Sequence, residues 1–164
     1  TIAPHYTMKR QLDDYYSKFY NKLRDRGNAL RANDNKLAKE IAAWKESVAT
    51  SWSNIKVVSV DASDALMNGQ VEAGKEYKVK VVLDEAGLND AVGIEIVTVH
   101  TDKDGVERIY SVEPMTMVAK NGNEFTFEGI HVLDNAGSYK SALRMFPKND
   151  NLPHRQDFCY VTWF

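Results

Sequence analysis

From Thr7 the apolar positions Met8, Leu12, Tyr15, Phe19 and Leu23 fall at steps of four, three, four and four, which traces one face of a helix. Tyr16 and Tyr20 widen that stripe and make it unusually aromatic. Thr7 is placed to cap the helix and Gly27-Asn28 to stop it. Asn33-Asp34-Asn35 offers caps for a second helix, in which Leu37, Ile41, Trp44, Val48 and Trp52 repeat the spacing. After Ser53 the period changes from 3.6 to 2. Ile55–Val60 reads as a first strand, and Tyr77, Val79 and Val81 alternate with Lys78 and Lys80 as a strand with one wet face. Val92–Thr101 is rich in β-branched residues.

Asp104-Gly105 and Asn121-Gly122 tolerate positive φ, so each can close a tight hairpin. They set strands near Val106–Val112, Met115–Lys120 and Glu124–Ile130. Ser138–Phe146 alternates again, and Phe158–Phe164 reads as a last strand, apolar at both parities and so covered on both faces. On one face it would carry Phe158 and Tyr160, on the other Cys159, Val161 and Trp163, which places the Cys159 thiol toward the core; the second helix, with Trp44 and Trp52, is one available cover. The expected fold is mainly β: two N-terminal helices over residues 1–54, then an immunoglobulin-like antiparallel β-sandwich of seven or eight strands over 55–164, with no helices between the strands.

The 164 residues suffice for one domain with a helical appendage, and for a core that needs no disulfide or metal. The lone Cys159 suits a reducing cytoplasm. No run approaches the roughly 20 apolar residues of a membrane span, so no membrane partner is expected. The start at Thr1-Ile2-Ala3-Pro4-His5 reads as a cut inside a longer protein. The net charge of −2 hides a basic first third, where residues 1–54 hold 10 Lys and Arg against 6 Asp and Glu. Those charges interleave on helix surfaces, which describes a solvated face and not a nucleic-acid stripe.

Catalytic chemistry is hard to find in the pattern. His5, His100, His131 and His154 lie far apart, with no paired-histidine or Cys-x-x-Cys spacing for a metal. Ser111, Ser138 and Ser141 lack the Gly-x-Ser-x-Gly setting of a nucleophile elbow, so an independent small hydrolase has only scattered His and Ser residues behind it. Asp102 and Asp104 faintly suggest a calcium loop, but without the twelfth-position Glu the segment reads as a turn. Neither catalytic, cofactor-binding nor metal-binding residues are therefore expected. Tyr139, Phe158, Tyr160 and Trp163 are candidates for stacking on a glucan, set against the ordinary role of strand aromatics in packing.

Four stretches carry a family resemblance. The tail, Gly137-Ser138-Tyr139 through Arg144-Met145-Phe146-Pro147-Lys148 and Leu152-Pro153-His154 to Val161-Thr162-Trp163, resembles the C-terminus of bacterial α-glucan phosphorylases of the glycogen phosphorylase superfamily. Before it, Val71, Gly74, Val79, Val81, Leu88-Asn89, Val92 and Ile94-Glu95 are similar to a Leu-rich turn leading into a strand that ends in Glu. The opening, Ile2-Ala3-Pro4 with Thr7-Met8-Lys9-Arg10, Tyr15 and Phe19-Tyr20, resembles the helix after the catalytic glycosyltransferase core, with Gln11 where the family commonly has Met. Leu37-Ala38, Ile41, Trp44-Lys45 and Trp52 fit a linker helix. The resemblance is best to the branch in which a synthase-like glycosyltransferase can be fused to the phosphorylase.

What the resemblance implies is a parent enzyme that uses pyridoxal phosphate to release glucose 1-phosphate from α-1,4-glucans. The cofactor lysine and phosphate-holding residues of that family would lie upstream of Thr1. This chain is then expected to be a non-catalytic structural domain or, alternatively, a sandwich that grips α-glucan or a partner. Its expected partners are the catalytic domain of the same polypeptide and, through the first helix, a second copy. Burying each aromatic of that helix is worth roughly 1.5–3 kcal/mol, so an uncovered stripe seeks a partner unless the second helix covers it as a hairpin.

Overall fold

The computed structural model describes residues 7–164, so Ile2, Ala3, Pro4 and His5 lie outside the described residues. The chain divides into two compact units, one ending at Glu46 and one over Ser47–Phe164.

The first unit is helical. Helix α1 covers Met8–Tyr15, a π-turn Tyr16–Tyr20 and helix α2 Asn21–Ser51. Thr7 caps α1 as expected, its Oγ1 accepting from the Arg10 N–H at 3.3 Å. Gly27 and Asn28 do not stop the helix; they lie within it. A single helical glycine costs only about 1 kcal/mol relative to alanine, which a continuing helix absorbs. The break comes at Ala32–Asn35, where Asn33, Asp34 and Asn35 take φ of 51°, 56° and 59°. Asn and Asp enter that left-handed region more readily than other side chains, so the run ends one helical stretch and starts the next. The aromatic stripe stays uncovered: Met8, Leu12, Tyr15, Tyr16, Phe19, Tyr20 and Leu23 are all exposed. The second stretch therefore does not cover it as a hairpin would. Within the stripe Tyr16 and Tyr20 pack edge to face at 5.4 Å, and Tyr15 and Phe19 lie 5.9 Å apart.

The second unit holds eight antiparallel strands in two sheets. One sheet orders β1 (Lys56–Ala62), β2 (Glu76–Asp84), β6 (Glu124–Val132) and β5 (Thr116–Asn121). The other orders β4 (Glu107–Pro114), β3 (Val92–Thr101), β7 (Tyr139–Pro147) and β8 (Thr162–Trp163). Strand alternation builds the core. Tyr77, Val79, Val81 and Leu83 of β2 are buried and pair in register with His131, Gly129, Phe127 and Phe125 of β6. Facing them are Ile94, Ile96 and Thr98 of β3, paired with Met145, Leu143 and Ser141 of β7. Both turn dipeptides close hairpins: Gly105 and Gly122 take φ of 76° and 61°. In the second hairpin Asn121 pairs with Glu124, so the two central residues are Gly122 and Asn123.

Two expectations fail in this unit. One helical turn, α3 (Asp64–Met67), does lie between β1 and β2. The last strand is only Thr162–Trp163, because a 3-10 turn at Arg155–Asp157 and Phe158 at φ −153°, ψ 88° break the alternation before it. Cys159 consequently points out: it is exposed, with its thiol donating to the Gln156 carbonyl at 2.8 Å. Trp52 is buried against this segment, donating from Nε1 to Thr162 Oγ1 at 3.2 Å and lying 5.7 Å from the Tyr160 ring.

The outer face of the β3 sheet is closed by charge as well as by apolar contact. Glu95, fully buried, accepts from Arg144 Nε at 2.6 Å and from its terminal nitrogen, and from Arg155 at 2.6 Å. The Arg155 guanidinium also lies 3.8 Å from the centre of the Phe146 ring. That ring rests on Gly93, where an added Cβ would meet it at 2.6 Å, so only glycine admits the stack. Two arginines on one carboxylate satisfy the charge that burial would otherwise make prohibitive.

Candidate functional site

The four aromatics proposed for glucan stacking do not form one platform. Tyr139 begins β7 facing between the sheets, its ring 4.8 Å from Tyr110 and 5.3 Å from His100 and close over Gly137. Phe158 and Tyr160 pack on each other at 4.9 Å, both half-buried. Trp163 pairs with Arg144 and so shares the outer face, with the guanidinium 5.1 Å from its ring centre. It is 52% exposed, so of the four it alone keeps an open aromatic surface.

A second cluster joins residues that sequence spacing kept apart. His131 of β6, fully buried, directs Nδ1 at Glu113 Oε2 of β4 at 2.7 Å and Nε2 at Ser141 Oγ of β7 at 3.3 Å. Ser141 Oγ also lies 2.9 Å from Thr98 Oγ1, and Ser111 donates to Glu113 Oε1 at 3.1 Å. Pairing explains the convergence: Glu113 and Ser111 oppose Ile96 and Thr98, and Thr98 opposes Ser141 on its other side. These positions all face the interior at one end of the sandwich, and His131 reaches them from the opposite sheet. No motif in the chain marks this group. The only cue would have been that Glu113, His131 and Ser141 each occupy an inward strand position, which requires knowing the strand pairing.

Next to it lies a cavity of 630 Å³ whose lining includes His131 and Ser141 with Val60, Leu66, Leu143 and Phe164. Among the described residues no cluster of His, Cys, Asp or Glu is arranged to hold a metal. Asp102 is engaged in its own turn, accepting from the Asp104 and Val106 N–H groups and from Arg108. The Val106 N–H above all, helped by Arg108, draws its carboxyl below the usual range. Nor do the residues present fit pyridoxal phosphate. That group needs an enclosed lysine amine beside a phosphate cradle, and the strand lysines Lys56, Lys78, Lys80, Lys120 and Lys140 are all exposed. No described helix is long and apolar enough to cross a membrane.

Maltodextrin phosphorylase of Thermococcus litoralis is similar to this chain, 27% identical over 169 aligned positions that cover 99% of the chain and 19% of the relative. The chain thus spans about a fifth of that protein's length. No solved structure matches. The family described as the glycogen phosphorylase C-terminal domain matches residues 52–164, the end of the helical segment and the whole of the sandwich, and the chain belongs to that family.

Proposed function

We propose that this chain is the C-terminal accessory part of an α-glucan phosphorylase, helical over residues 1–54 and a sandwich over 55–164, which supports the catalytic part of the same polypeptide without entering the reaction. The family match over residues 52–164 carries this reading, together with a relative named for phosphorylase activity that is about five times longer. In the parent, phosphate would release glucose 1-phosphate from an α-1,4-glucan, and pyridoxal phosphate would supply the acid–base phosphate chemistry from residues outside this chain. The aromatic stripe that runs from α1 through the π-turn into α2, with Tyr16, Phe19, Tyr20 and Leu23 each more than half exposed, is the surface offered to that catalytic part. In its absence the same stripe favours pairing with a second copy. The strand order, β1-β2-β6-β5 against β4-β3-β7-β8, reads as immunoglobulin-like with one added edge strand. A cytoplasmic location suits a lone cysteine that has no disulfide partner.

The test is an assay of the purified chain with glycogen, phosphate and pyridoxal phosphate. No glucose 1-phosphate above a protein-free blank is expected, and turnover would overturn the accessory reading.

A second reading, a sandwich that grips α-glucan, is favoured by one observation. Trp163 presents an open ring surface backed by Arg144, the arrangement that suits a pyranose face.

A further inference from the structure

We propose that Ser141, His131 and Glu113 form a serine-nucleophile site that hydrolyses esters of short apolar acyl groups bound in the adjoining cavity. This goes beyond the accessory reading and does not depend on it.

The argument starts with the imidazole. A carboxylate oxygen 2.7 Å from Nδ1 holds the proton on that nitrogen and leaves the Nε2 lone pair directed at Ser141 Oγ, 3.3 Å away. Glu113 is itself held by the Ser111 hydroxyl on its other oxygen, so the carboxylate orients the ring and does not swing. Thr98 Oγ1, 2.9 Å from Ser141 Oγ, restrains the same hydroxyl. The nucleophile, the base and the group that orients the base are thus in contact in that order, which is the arrangement nucleophilic catalysis needs.

Access is the second requirement. His131 is fully buried in the resting chain, but it lines the same cavity toward which Ser141 is exposed, and that is where a leaving alcohol and the attacking water would meet its Nε2. Val60, Leu66, Met67, Leu143 and Phe164 line that space, so an acyl chain is the part of a substrate that it would exclude from water. Leu143 and Phe164 exchange both backbone hydrogen bonds at 3.0 Å, and the regular β7–β8 pairing covers only Arg144 and Met145 of β7. Strand alternation turns the Ser141 N–H to the same edge as that of Leu143, where it provides a donor for a developing oxyanion.

The reaction balances without any further group. Ser141 Oγ adds to the ester carbonyl carbon while its proton passes to His131 Nε2. The carbon–alkoxy bond then breaks, and the alcohol leaves with that proton. Water, giving a proton to the same nitrogen, adds to the acyl-serine. Collapse of that adduct frees the acid and returns the proton to Ser141 Oγ.

The experiment treats the 164-residue chain with a fluorophosphonate probe and locates the adduct by peptide mass spectrometry, beside hydrolysis of p-nitrophenyl butyrate. One adduct on Ser141 and measurable ester turnover are expected. Ser141→Ala should lose both. Glu113→Gln, which keeps the shape but not the charge, should lower turnover at least about tenfold while leaving the circular dichroism of the sheets unchanged. A folded chain that stays unmodified at Ser141 would overturn the assignment and leave the cluster as interior hydrogen bonding alone. Turnover equal in Ser141→Ala would overturn it as well.

Discussion

Replacing Glu85 by glutamine should stabilise the sandwich above neutral pH and do little below pH ~4. Glu85 follows β2 in a tight loop where Ala86, Gly87, Asn89 and Asp90 all have positive φ. Its side chain is fully buried: Oε2 accepts from the Asp90 N–H at 2.8 Å, while Oε1 has no hydrogen-bond partner. Burial pushes its carboxyl up from the ordinary 4.5 to about 7. The Asp90 and Ala91 N–H groups and Lys120 oppose the rise, and the Asp90 carboxylate adds to it. Because the folded value lies above the unfolded one, the stability contributed by the neutral acid is complete below pH ~4.5 and disappears as the pH rises through about 7.

The rise from 4.5 to about 7, at about 1.4 kcal/mol per pH unit, amounts to an upper figure of about 3 kcal/mol. Glutamine keeps the acceptor for Asp90 and stays neutral, so it mimics the protonated acid at every pH. Urea unfolding followed by tryptophan fluorescence, with Trp52 inside the sandwich as a reporter, gives the stability of both proteins. The difference between variant and parent should be near zero at pH ~4 and grow to about 2–3 kcal/mol at pH ~8. Taking the difference cancels the other titrating groups. A difference that stays flat across that range, or one that favours the parent at high pH, would refute the reasoning.

Cys159 should react with a thiol reagent in the folded chain at a rate close to that of a free thiol, since it is exposed and held only by the Gln156 carbonyl; labelling that waits for denaturant would contradict the segment's geometry. If the sandwich grips glucan, maltoheptaose should shift tryptophan fluorescence, and Trp163→Ala should abolish the response while Tyr139→Phe leaves it intact, because the Tyr139 ring is half-buried and already packed on Tyr110 and His100. No response in the parent chain would remove the glucan reading.

How much of this protein was legible in its sequence depended on the range of the interaction involved. Alternation along β2, the β-branched run of β3 and the glycine turns at Gly105 and Gly122 specify strands and hairpins from neighbours two to four residues apart. Thr7 caps α1 through a contact only three residues away. The misreadings arose where a local rule met a stronger one. Gly27 weakens a helix without ending it, and three consecutive left-handed residues at Asn33–Asn35 end it instead. Parity would turn Cys159 inward only in an unbroken strand, and the turn at Arg155–Asp157 resets it. The approach of Glu113, His131 and Ser141 was decided by tertiary structure alone. They lie 18 and 10 residues apart along the chain, on three strands in two sheets, and only register and sheet stacking bring their polar atoms together. Likewise Glu85 looks like an ordinary turn acid until the fold closes over it. Sequence encodes the period of each element, while burial and encounter belong to the packing of elements that the chain places far apart.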